Sequence, residues 1–171
     1  MSQSAMHFDL DPPHGVGPLR LGMTLDETRA ALITLGDLDG GEQTGLWATR
    51  PSGLGFNPGF GSTGRLDSVE ITRPHALDVV RYRDVDVFGL PALEVVERLR
   101  RHTHLAEDED QEGCFTAADL LLALWRPFAA DDDPHDEQGY HFSSVLLARP
   151  GYYDTPAEAA ARSATGDLPG Y

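Results

Sequence analysis

Lysine is missing altogether from this chain: all 13 basic residues are arginine. A Walker-A phosphate loop and a Schiff-base amine both require lysine, so both chemistries are excluded. Cysteine is nearly missing too. A single residue, Cys114, rules out an internal disulfide framework, and its acidic neighbours blunt it as a nucleophile. No apolar run reaches the ~20 residues that a membrane span needs. The opening MSQSAMHFDLDPP has neither the basic end nor the apolar stretch of a secretory signal. Together these absences predict a cytoplasmic protein that does not engage a membrane. There is also no nucleophile elbow, and Gly15, Gly17 and Gly22 have the wrong spacing for a dinucleotide fingerprint. No cofactor is expected.

Positive charge is scarce beside the 28 acidic residues, leaving a net −15. Nucleic-acid binding depends on cations that neutralise phosphates, so it is not expected. Steering toward a basic protein partner is compatible with this charge. The acids are also unevenly placed. Two blocks, Glu107–Glu112 and Asp131–Glu137, bracket the apolar run Leu120–Trp125, with Arg126 the one basic residue between Glu107 and Glu137. The run is continuous rather than alternating, which predicts a strand buried on both faces or a short buried helix. The acidic blocks are then expected at its opposite ends.

Gly17–Gly36 carries the clearest local code. Thr24 and Glu27 have the spacing of a capping box, and Asp26 and Glu27 complement the helix dipole. Leu25, Thr28, Leu32 and Leu35 fall on one helical face, and Gly36 predicts a left-handed stop. A fainter copy runs from Asp84 to Thr103. Pro91 suits the first helical position, and Ala92, Val95, Val96 and Leu99 form an apolar stripe. Glu94–Arg98 and Glu97–Arg101 are (i, i+4) pairs. Strands are predicted at His7–Asp11, Leu46–Thr49, Arg65–Arg73 and Phe142–Ala148. Asp37–Thr44 reads as a polar connection, and Gly53–Gly61 as a strand pair with an irregular turn. Asp67–Pro74 (DSVEITRP) and Ser143–Pro150 (SSVLLARP) echo one another.

These echoes predict one α+β domain over 1–154, built from two strand–helix–strand repeats (about 7–80 and 81–153). Their strands would form antiparallel sheet, with the helices packed on one side. Residues 155–171 are expected to be a loose C-terminal tail.

The pattern Gly22–Met23–Thr24, then Glu27, then Leu35–Gly36, repeated in weaker form, resembles the tandem α+β repeats of the β-lactamase-inhibitory-protein-like group. That group includes small outer-membrane assembly lipoproteins. The second copy departs from it at Gly89–Leu90–Pro91. In overall texture the chain is similar to small acidic actinobacterial proteins, some of which are immunity proteins to toxins. The resemblance implies binding rather than catalysis.

The leading expectation is therefore a non-catalytic protein-binding module, an immunity or inhibitor protein. Asp108, Asp110, Asp131, Asp132 and Asp133 would form an acidic rim, with Trp47, Phe60, Tyr140 and Tyr152 as aromatic anchors against a basic partner. The alternative is calcium binding. Asp108–Asp119 (DEDQEGCFTAAD) places Asp108, Asp110, Glu112 and Asp119 at EF-hand ligand positions, with Gly113 and Phe115 where such a loop wants glycine and an apolar residue. An acidic hairpin turn accounts for the same residues. His102 and His104 could face one side of a strand as imidazole ligands, but the further ligands of a zinc site are not evident. An enzyme of unrecognised class is the third reading.

Overall fold

The computed structural model describes residues 6–41, 45–61, 64–75 and 78–149. The expected tail at 155–171, and Tyr152, lie outside them. Helix is sparse: α1 (Leu25–Leu35), α2 (Ala92–Leu99) and the single turn α3 (Glu137–Tyr140). The rest of the regular structure is strand, in two sheets. This overturns the expected α+β arrangement with helices packed on one side of a sheet.

The reason lies in the connections. Asp37–Gly41, read as a polar link, is a strand (β4), antiparallel to β5 (Gly45–Thr49). The glycine-rich stretch is one strand, β6 (Gly55–Phe60), paired along its length with β7 (Leu66–Thr72). Glycines and alternating aspartates are weak strand formers, but sheet pairing overrides propensity: β6 lies between β5 and β7, and β4 pairs along its length with β5 at the sheet edge.

The second half adds β10 (Ala106–Glu107), β11 (Phe115–Ala117), β12 (Leu122–Trp125) and β13 (Ser144–Ala148). These complete an eight-stranded sheet ordered β10-β11-β12-β13-β7-β6-β5-β4. Two four-stranded meanders thus meet at one antiparallel seam, where Val145 faces Ile71 and Leu147 faces Val69.

The smaller sheet contains β1 (His7–Asp11), β2 (Gly15–Val16), β3 (Leu19–Arg20), β8 (Val79–Tyr82) and β9 (Val85–Asp86), in the order β3-β2-β1-β8-β9. Here β1 and β8 run parallel. The core lies between the two sheets. Phe8 of the small sheet meets Phe56 of the large one edge to face, with centroids 5.4 Å apart. Leu32, Ile71, Leu124, Phe142 and Leu147 are fully or almost fully buried around them.

A polar staple holds the sheets at one side. The Asp78 carboxylate accepts from Arg50 Nε (2.8 Å), the Ser52 hydroxyl (2.5 Å) and the Met6 N–H (3.0 Å). Arg50 also donates to the Leu35 carbonyl at the end of α1, and its guanidinium sits 5.4 Å from the Phe8 ring centre.

At α1 the capping box is present in both directions: Thr24 accepts from the Glu27 N–H, and Glu27 accepts from the Thr24 N–H. Thr28, Ala31, Leu32 and Leu35 are buried, whereas Leu25 is exposed. Gly36 is not left-handed. Its φ is 179°, and what it supplies is room: a Cβ there would stand 2.5 Å from the Thr49 carbonyl oxygen. A Thr24→Ala variant is expected to lose ~1 kcal/mol, read as a lower urea midpoint at unchanged slope. In α2 the predicted stripe is buried, and the pairs Glu94–Arg98 (2.7 Å) and Glu97–Arg101 (4.0 Å) form. No helix among the described residues is long and apolar enough to cross a membrane.

Candidate functional site

The large sheet turns its second face away from the core. Register places Asn57, Glu70, Leu146, Ala123, Thr116 and Ala106 in one line across six strands, and the pair Asp39 and Trp47 shares their face, since their neighbours Ala48 and Phe56 are paired. All eight are half-buried or exposed. A neighbouring line ends at Trp125, which is 42% exposed and paired with Ser144. Trp47 and Trp125 therefore share this face, four strands or ~20 Å apart. Side chains between them are small or polar apart from Leu146, and Asp39 and Glu70 add negative charge to the face.

The charge is concentrated at the end where Trp125 stands, and the cause is one buried cation. Arg126 is only 2% exposed. Its Nε donates to the Gly113 carbonyl (2.8 Å), and its Nη1 donates to the Gly139 carbonyl (2.7 Å) and to Asp131 (2.6 Å). The guanidinium also lies 5.6 Å from the centre of the Phe142 ring. Gly113 closes the first acidic block, whereas Asp131 and Gly139 flank the second.

Both blocks are therefore drawn to the C-terminal end of β12, not to opposite ends as the sequence suggested. Antiparallel pairing dictates this: Phe115, at the start of β11, faces Leu124 near the end of β12. β12 is also not buried on both faces, since Leu122 and Leu124 point inward while Ala123 and Trp125 look out. Gly113 fits the junction because its φ is 84° and a Cβ would come within 2.7 Å of Arg126 Nε.

Asp108, Asp110, Asp132 and Asp133 are exposed within these loops, and Asp131 is half-buried against Arg126. Tyr140, in α3, is half-buried and stacks edge-on with His141, whose Nδ1 lies 3.0 Å from the Leu90 carbonyl oxygen. Phe60 is not with them; it packs against the core at the far side of the sheet. Trp125 and Phe128, both exposed beside the acids, escaped the sequence reading. The signal for Arg126 was its isolation: a lone cation between two anionic blocks.

The calcium ligands do not converge. β11, not a helix, follows the loop, and Asp119 lies in the turn beyond it, on the order of 10 Å along the hairpin. Asp108 Oδ1 accepts the N–H groups of Asp110 and Gln111, and Glu107 accepts that of Gly113. Among the described residues no three His, Cys, Asp or Glu side chains are placed to hold a metal ion. His102 lies 3.6 Å from Asp84 and packs edge-on against Tyr82. No known protein family, characterised protein or solved structure matches the chain.

One carboxyl titrates high. Burial pushes Asp67 above the ordinary aspartate range, and the Arg149 charge 3.9 Å away only partly opposes it. Asp67 sits beside Gly59 and Gly61 at the end of β7.

Proposed function

We propose that this chain is a non-catalytic protein-binding module of the immunity or inhibitor kind, acting in the cytoplasm on a basic protein partner. The observation that supports it is the Arg126 junction, which gathers two acidic loops beside an exposed tryptophan at one end of a sheet face that no other described element covers. An exposed aromatic beside predominantly acidic loops suits an interface: the ring supplies contact area, and the charge supplies orientation and rate. Nucleic acid is repelled by this surface, and no part of the reading calls for a membrane or a cofactor.

The test is capture of partners from the source organism on immobilised protein at about 0.05 M and about 0.5 M salt. A discrete basic protein should be retained at low salt and released at high salt. Trp125→Ala should weaken its retention ~10-fold or more, and Trp47→Ala should act in the same direction. Retention indifferent to salt and to both tryptophans would rule the proposal out.

A further inference from the structure

On the opposite side of the molecule, the outer face of the small sheet holds a cleft of about 890 Å³. Its chemistry differs from the rest of the surface. β1 turns His7, Asp9 and Asp11 outward, while Arg20, Arg81 and Arg83 enter from β3, β8 and the β8–β9 turn. Three arginines against three aspartates (Asp9, Asp11, Asp84) make the cleft locally neutral on a chain of net −15. An anion meets less repulsion here than over the acidic end.

Three features of the arginines suit them to receive an anionic acceptor. Arg81, whose side chain is 39% exposed, reaches Asp9 through Nη2 at 3.5 Å, yet its Nε is buried and has no hydrogen-bond partner among the described residues. Buried donors are rarely left unpaired, because each costs its full desolvation. Arg20 is held by Asp11 at 3.0 Å through one of its five N–H groups, which leaves the others to donate. Arg83 has no carboxylate partner among the described residues. Its guanidinium lies 5.7 Å from the Tyr82 ring centre, and its Nε is 3.4 Å from the Tyr82 hydroxyl.

Arg83 also occupies a place that suits glycine. With Asp84 it forms the two-residue turn between β8 and β9, at φ 55°. Tight turns of this length favour glycine or asparagine where φ is positive. An arginine there places a guanidinium at the mouth of the cleft at some conformational cost, which is how strain at a binding site is recognised.

We infer that the cleft binds a small oxyanionic ligand, one presenting a carboxylate or phosphate to Arg81 and Arg83 with Arg20 at its border. Asp11 and Asp9 act as positioning residues that hold Arg20 and Arg81. This site is independent of the protein-binding surface proposed above.

The test is an NMR titration of the arginine Nε–Hε signals with inorganic phosphate and, separately, succinate, in low-salt buffer. The Arg81 and Arg83 signals should shift saturably with at least one probe, at a dissociation constant on the order of millimolar. Whichever probe saturates distinguishes phosphate from carboxylate recognition. Arg83→Gly should weaken binding ~10-fold while keeping or raising the melting temperature, because glycine accepts the turn geometry. Arg81→Gln should also weaken it. Failure of both probes to saturate would overturn the inference, and so would binding that Arg83→Gly leaves unchanged in a folded protein.

Discussion

An Arg126→Met variant is expected to lose about 3–5 kcal/mol of stability, the range for removing one partner from a buried charged network. Methionine fills much of the same volume, so the loss comes from acceptors rather than from a cavity. The Gly113 carbonyl would be left unpaired at the junction, costing ~1–3 kcal/mol if water cannot reach it, while the Gly139 carbonyl would keep only the Ala130 N–H. Asp131 is 29% exposed in its side chain and rehydrates more readily. For that reason Asp131→Asn should cost much less than Arg126→Met.

The damage should be local before it is global. Amide exchange should rise first in 107–114 and 129–141, the segments tied by the guanidinium, while the seam between β7 and β13 stays protected. Urea unfolding with exchange measured on the same variant checks both points. A loss below ~1 kcal/mol would show that Arg126 does not organise the acidic end.

The second large effect is expected at Asp78. Burial alone would raise its pKa. The hydrogen bonds from Arg50, Ser52 and the Met6 N–H, with the Arg50 charge, more than offset this, and the carboxyl titrates below its ordinary range. A carboxyl depressed in the folded state adds stability above the unfolded value, near pH 4, and that contribution is lost as the pH falls through the folded value.

Asp78→Ala should therefore cost ~3 kcal/mol near neutral pH, where it leaves Arg50 mostly buried without its counter-charge. The gap between wild type and variant should narrow as the solution is taken below about pH 4. Melting temperatures of both proteins from pH 7 to pH 3 would test this. Parallel curves across that range would show that ionisation of Asp78 contributes nothing.

What the sequence disclosed depended on how local the cause was. The capping box at Thr24 and Glu27, the α2 stripe and the strands at 7–11 and 66–72 follow from short-range rules, and they were legible. β4 and β6 were not. Their glycines and polar residues carry no strand signal, and they become strands because β5 and β7 pair with them. Without those two strands the large sheet shrinks, and a helix-covered α+β arrangement looked reasonable.

The candidate surface divides in the same way. That Asp108, Asp110 and Asp131–Asp133 matter was visible as charge density. Their meeting at one end was not, because it depends on antiparallel register and on the reach of Arg126. Trp47 could be nominated as an aromatic, but its sharing a face with Trp125 is a property of strand parity across four partners. The same composition points to Phe60, yet a bulge between Gly59 and Phe60 accompanies its place against the core.

The mirrored strand order has a consequence for assembly. β7 and β13 are each the last strand of a meander, and each offers the other a complementary edge. Two chains could trade their C-terminal portions and recreate these same contacts without inventing a new one, paying mainly in the entropy of association. Refolding at high protein concentration is where such interlocked pairs would accumulate, and the stretch after Thr72 is where the crossing would occur.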